Sequence, residues 1–124
     1  MAAQPRYRVK RVYDAPEAGD GRRVLVDRLW PRGVSKQQAS IDEWAKDVTP
    51  SNELRRWYHA EPDTRRAEFE KKYRAELSGD APQDALARLR AEAAREPLTL
   101  VTAVKDPAHS HVPVLLGELG ETPK

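Results

Sequence analysis

Cysteine is absent from the 124 residues, so the chain can form no disulfide, hold no metal through thiolates and present no thiol nucleophile. That suits a reducing compartment. Histidine is scarce as well. His59, His109 and His111 are the whole supply; a metal site needs at least three ligands, so no metal and no cofactor is expected. No apolar run approaches the length of a membrane span. The segment Met1 to Lys10 lacks the apolar core of a signal peptide, and no repeat or low-complexity tract interrupts the chain. The expectation is a soluble, cytoplasmic protein with no membrane partner.

What is present argues for one folded domain over residues 1–124. A charged fraction of 34% and a mean hydropathy of −0.82 would suit a disordered chain. The apolar residues nevertheless recur in periodic blocks, with three Trp and four Tyr among them, and this indicates a packed core. The net charge of +2 is unevenly spread: residues 1–36 carry nine Lys/Arg against four acids, the remainder thirteen against sixteen. A basic leading third can attract phosphate or nucleic acid. It can equally be a solvated edge strand guarded by charge.

The stretch Arg23 to Lys36 organises the rest. Val24, Leu25, Val26 and Leu29 form a short apolar run, as in a strand covered on both faces. Asp27 and Arg28 interrupt it, and such charges need partners or a place at the strand's mouth. Pro31 and Gly33 end the strand, leaving Arg32 and Lys36 on the loop that follows.

Before it, Tyr7, Val9 and Val12 within Arg6 to Asp14 read as an edge strand. The linker Ala15 to Gly21 is too short for a helical crossover, so the first two strands are expected to run antiparallel or to be joined irregularly. After it, Ser40-Ile-Asp-Glu43 has the form of a capping box, with Ile41, Trp44, Ala45 and Val48 on one helical face. Ser51 caps a second helix carrying Leu54, Trp57 and Tyr58. Pro62 opens a third, with Phe69, Tyr73 and Leu77 inward and Gly79 as its stop. Pro82 opens a fourth, with Leu86, Leu89 and Ala93 inward. Leu98 to Val104 is β-branched and uncharged, a second buried strand. The loop Lys105 to His111 then leads to a last helix with Val112, Leu115, Leu116 and Leu119 on its apolar side. The fold class is therefore α/β: a small sheet of three strands, or four, mostly parallel or mixed, packed by about five helices.

A strand, a long helical crossover and a second buried strand make a parallel pair with a right-handed connection. The loops after both strands then leave the same rim, where open α/β sheets bind ligands. Arg28, Arg32, Lys36 and Lys105 would converge there with Asp106, His109 and His111. Guanidinium groups can grip a phosphate or carboxylate in bidentate fashion. The structural alternative is that Arg28 pairs with Asp27 or a helix acid and Arg32 stacks on Trp30 or Trp44. Arg55, a cation in the first turn after Ser51, sits against the helix dipole and so should have a partner, either an acid or a bound anion. Asp27 could be a general base or a salt-bridge partner. Asp106 with His109 could be a catalytic pair, or Asp106 could bond its own loop. Trp30, Trp44, Trp57 and Tyr73 could stack a ring, but their spacing places them in the core first. Ser51 and Ser110 read as caps.

The run Asp20-Gly-Arg-Arg-Val-Leu-Val-Asp-Arg-Leu-Trp-Pro-Arg-Gly33, with Ser35-Lys36, resembles the signature of the small bacterial YeaO-like proteins, a domain of unknown function. Agreement continues through Ile41-Asp-Glu-Trp44, Pro50-Ser51, Leu54-Arg55, Phe69, Tyr73, Glu76-Leu77 and Lys105-Asp106, nearly the whole chain. The resemblance implies a compact cytoplasmic α/β domain and carries no established activity, so it assigns no functional residue. The chain departs from the family pattern where His109-Ser110-His111 and Val112-Pro113 stand in place of Asn-rich sequence. It departs again in lacking the Cys that more distant relatives carry after the last strand. Three functions follow as expectations. The first is binding of a small anionic ligand by Arg28, Arg32, Lys36, Arg55, Lys105 and His111, in a binding protein or an enzyme. The second is association with nucleic acid through the basic third, and the third is a protein interaction module.

Overall fold

In the computed structural model, which describes residues 7–120, four strands form one parallel sheet: β1 (Tyr7–Arg11), β2 (Arg22–Leu25), β3 (Glu43–Trp44) and β4 (Leu98–Thr102). The ends of the expected 1–124 domain, and Arg6 at the head of the first strand, lie outside the described residues. Five helices follow the chain as α1 (Lys36–Ala39), α2 (Asn52–Ala60), α3 (Pro62–Leu77), α4 (Asp80–Arg95) and α5 (Val112–Glu118). Strand order is β1-β4-β2-β3. Leu100 of β4 thus faces Val9 on one side and Val24 on the other, and all five residues of β4 are buried. A strand flanked on both edges and covered on both faces has to be apolar and uncharged throughout. Among the described residues no helix is long and apolar enough to cross a membrane.

Alternation along the strands divides the core in two. Val24, Val26, Leu98 and Leu100 pack with Phe69, Tyr73 and Leu77 of α3, Leu86 and Leu89 of α4 and Leu115 of α5. On the other face Val101 joins Val12 and Ala39, covered by Trp30, Val34, Ile41 and Ala103. Ser51 caps α2 by accepting from Leu54 N–H (3.1 Å). Pro62 stands at the start of α3 and Pro82 in the first turn of α4, which begins two residues before it. The pairs Glu68–Lys72 (3.7 Å) and Glu70–Arg74 (3.8 Å) lie on the outer face of α3, worth a few tenths of a kcal/mol each.

Three expectations are overturned. β1 and β2 are not an antiparallel pair: β4 lies between them and both run parallel to it. A short linker demands an antiparallel turn only between strands that are neighbours in the sheet. With one strand between them the chain must cross about 10 Å and return about 17 Å along β1, and ten extended residues reach about 33 Å. The return is made by a single 3₁₀ turn at Ala18–Asp20 and by Gly21, whose φ of +63° lets it press on Pro97, where a Cβ would lie 2.1 Å from the carbonyl oxygen. The turn buries Asp20, which accepts from Arg23 (2.6 Å), Lys10 (3.2 Å) and the Glu17 N–H (3.0 Å). Burial pushes this carboxyl up, but those hydrogen bonds outweigh it and hold it below the usual carboxylate range.

The second correction concerns residues 40–48. Ser40 does not start a helix; it ends α1 in the left-handed conformation at φ 50°. The capping box is five residues earlier, where Ser35 Oγ accepts from Gln38 N–H (3.0 Å) and Gln38 Oε1 from Ser35 N–H (3.1 Å). Asp42 accepts from Arg23 N–H (2.8 Å), and Glu43–Trp44 pair with Val24–Leu25 as β3. The free edge of β2 offers backbone partners that a solvent-facing helix would have lacked. Arg22 and Arg88 hold the Glu43 carboxylate in place. The third concerns Leu29, expected in the buried strand but 61% exposed, because β2 ends at Leu25 and the chain turns outward after Asp27.

Candidate functional site

β2 and β4 run side by side, and the chain beyond each lines one crevice of about 580 Å³. The turn Trp30 to Arg32 supplies part of the wall, and the loop from Ala103 to His111 supplies another. Arg55, Tyr58 and His59 of α2 complete it with Pro62 and Phe69 of α3. The two loops therefore meet at the carboxyl rim of the sheet, where parallel topology places them.

Each charged group at this rim has a distinct situation. Asp27 binds neither arginine. Its Oδ1 accepts from Thr102 Oγ1 (2.6 Å) and its Oδ2 from Ala103 N–H (2.7 Å), while its carbonyl accepts from the Trp44 indole (2.7 Å). The carboxylate thus ties the end of β2 to the end of β4. Among the described residues Arg28 pairs with no acid: its guanidinium donates to the carbonyls of Thr49 (3.1 Å) and Pro50 (3.3 Å), strapping the rim to the approach of α2. Arg32 stacks on neither tryptophan. Trp30 and Trp44 meet edge to face at 5.5 Å, and Lys46 covers the Trp44 ring. Arg32 is exposed at the crevice and, among the described residues, makes no hydrogen bond or ion pair within the protein. Arg55 has a partner, Asn52 Oδ1 at 3.2 Å, but one without charge.

His111 is buried at the head of α5, where its ring nitrogen Nε2 lies 2.6 Å from the Val26 carbonyl. A carbonyl only accepts, so Nε2 carries the proton. Burial pushes the imidazole below its ordinary value; the bond to Val26 and the charge of Asp27 oppose this, and Arg55 and Arg66 add to it. His111 is therefore a neutral structural link between α5 and β2. His109 is the opposite case. Its side chain is 84% exposed, and Nδ1 lies 2.6 Å from Asp106 Oδ2. The hydrogen bond from His109 holds the Asp106 carboxyl below the usual range. The backbone supports the pair, since His109 N–H donates to the Asp106 carbonyl (3.0 Å) and Arg66 to the His109 carbonyl (3.3 Å).

The crevice thus gathers Asp27, Arg28, Arg32, Arg55, Asp106, His109 and His111. Lys36, in the first turn of α1, and Lys105 are exposed but do not line it. His59, Tyr58 and Phe69 do line it and were not assigned to it from the sequence. The signal for His59 was available: it stands four residues after Arg55 on α2, and i, i+4 positions share a helix face. Among the described residues no group of three or more His, Asp or Glu side chains is placed to hold a metal.

The family model described as the inactive DUF488-N3 subclade matches residues 6–123. The uncharacterized protein Rv3073c of Mycobacterium tuberculosis is 47% identical over 115 residues, covering 93% of this chain and 94% of the relative. The uncharacterized protein YeaO of Escherichia coli is 45% identical over 106 residues, covering 86% and 90% respectively. No solved structure matches the chain significantly.

Proposed function

The chain belongs to the YeaO-like family, in the subclade described as inactive DUF488-N3, which names no ligand; from the geometry of the crevice we propose that it is a binding protein for a small anionic ligand carrying a phosphate or carboxylate. The observation that carries this reading is Arg32: a guanidinium without a partner among the described residues, at the mouth of a crevice on the carboxyl rim of a parallel sheet. Three arginines line the crevice against two aspartates. Both aspartates are engaged, Asp27 with β4 and Asp106 with His109. Those bonds leave both carboxylate charges in place, and the three guanidinium groups still outnumber them, so the balance of arginines over aspartates is positive. Arg55 supplies a second guanidinium, whose hydrogen-bond partner among the described residues, Asn52, is neutral. Leu29, Trp30, Pro31 and Pro50 give an apolar wall for the rest of the ligand, the usual division of labour in a small-molecule site.

The nucleic-acid reading draws less support, because the basic leading third is largely spent internally. Arg8, Lys10 and Arg23 converge on Asp20, and Arg22 reaches Glu43 and Glu92. The test of the anion reading is thermal unfolding with phosphate, sulfate and a panel of phosphorylated and carboxylated metabolites. A ligand at a hundredfold excess over its Kd adds about 2.7 kcal/mol, and Arg32→Ala should lose that gain while melting normally when unliganded, since an exposed loop arginine contributes little to stability. Absence of stabilisation across the panel, or stabilisation that survives Arg32→Ala, overturns the proposal.

A further inference from the structure

The three histidines of the chain all line the crevice, yet only one is held as a nucleophile would be. His111 has its Nε2 committed to the Val26 carbonyl and is buried. His59 is exposed and has no acid partner among the described residues. His109 is exposed, and its Nδ1 is fixed on Asp106 at 2.6 Å. A carboxylate only accepts, so the proton sits on Nδ1 and Nε2 keeps a free lone pair. We propose that His109 Nε2 is a phosphoryl-accepting site, modified by an acyl phosphate whose phosphoryl oxygens are held by Arg32 and Arg55; for those two arginines the proposal rests on the anion-binding reading above.

The step balances without a further reactant. The Nε2 lone pair attacks phosphorus, an N–P bond forms and the P–O bond to the acyl group breaks. The carboxylate leaves with the bonding pair and needs no proton. Positive charge develops on the ring as the bond forms, and the Asp106 carboxylate meets it across the Nδ1–H bond, a role that fixes tautomer and orientation as in nucleophile and base pairs generally. Pro107 and the bond from Arg66 to the His109 carbonyl hold the turn that presents the ring. A single covalent modification of this kind requires no turnover, so it is compatible with a binding protein.

The test incubates the full chain with acetyl phosphate and reads the gain of one phosphoryl group by intact mass. The adduct should be acid-labile and alkali-stable, as a phosphoramidate is. His109→Ala should abolish the adduct, and Lys71→Ala, an exposed change outside the crevice, should keep it. Asp106→Asn, a change in a positioning residue, should slow labelling about tenfold or more, with Asp106→Glu restoring part of the rate. No adduct on a protein that phosphate still stabilises against heat overturns this inference and leaves anion binding standing. No adduct and no stabilisation removes both. An adduct that persists in His109→Ala places the chemistry elsewhere and overturns the assignment.

Discussion

Replacing Asp27 tests whether its carboxylate is a clasp between strands or a group kept for chemistry. In Asp27→Ala the Ala103 N–H and the Thr102 hydroxyl lose their acceptors, at a rim where Thr102 is fully buried. An unsatisfied buried donor costs about 1–3 kcal/mol, so the variant should lose about 2–4 kcal/mol. Asp27→Asn keeps an oxygen for Ala103 but turns an amide N–H₂ toward Thr102. That hydroxyl already accepts from Val104 N–H at 3.2 Å, so a loss of about 1–2 kcal/mol is expected. Thr102→Val removes the donor, and the Asp27–Thr102 double-mutant cycle should give a coupling of about 1–2 kcal/mol. Urea unfolding followed by tryptophan fluorescence measures all of these, since Trp44 donates to the Asp27 carbonyl and reports on the rim directly. Groups held for catalysis commonly cost stability, so removing one tends to stabilise. Asp27 variants as stable as the parent or more so, or a coupling near zero, would refute the clasp and return Asp27 to candidacy as a base.

Two further outcomes follow from the fold. His111 is held neutral by burial, so below the ordinary imidazole value of about 6.5 the unfolded chain takes a proton that the native one refuses. Its contribution is thus intact above that pH and is lost as pH falls toward the depressed native value. The expected slope is at most about 1.4 kcal/mol per pH unit, and His111→Gln should flatten that part of the stability profile; an unchanged profile would contradict the buried neutral imidazole. Gly21→Ala places a Cβ against the Pro97 carbonyl at a positive φ and should cost at least about 2–3 kcal/mol. Calorimetry showing a near-parental melting temperature would argue against that close approach.

What could be read from the residues alone was whatever local chemistry and one long-range rule determine. The buried strand at Leu98, the helices opened by Ser51 and Pro62, and the inward line of Phe69, Tyr73 and Leu77 all follow from periodicity and caps. The meeting of the Pro31 turn with the His109 loop followed from the parallel course of the two strands, whose carboxyl ends share a rim. The sheet order was not legible, because β1 and β2 each pair with β4, about ninety and seventy-five residues away, and nothing in either strand names its neighbour. β3 was hidden by its two-residue length: Ile41, Trp44, Ala45 and Val48 carry helical spacing by coincidence, and only the open edge of β2 decides between the two conformations. The protein partners of Arg28 were not legible for a general reason. Its partners are main-chain carbonyls at Thr49 and Pro50, and a backbone acceptor leaves no trace in side-chain identity. Asp20 looked like turn chemistry because the turn does bury it, together with the cations that neutralise it.

Of the described strands, β4, which lies between β1 and β2, is the last in chain order. Until Leu98–Thr102 has emerged, β1 and β2 have no common partner, and two segments that end as neighbours of one strand must wait with open edges while the residues between are synthesised. Nascent chains in that condition are prone to pair with one another. Arg8 and Lys10 on β1, and Arg22 and Arg23 on β2, give both waiting segments a repulsive charge that opposes such pairing. Those same cations later converge on Asp20 and Glu43, so one set of residues serves the unfinished chain as a guard and the finished one as internal ties.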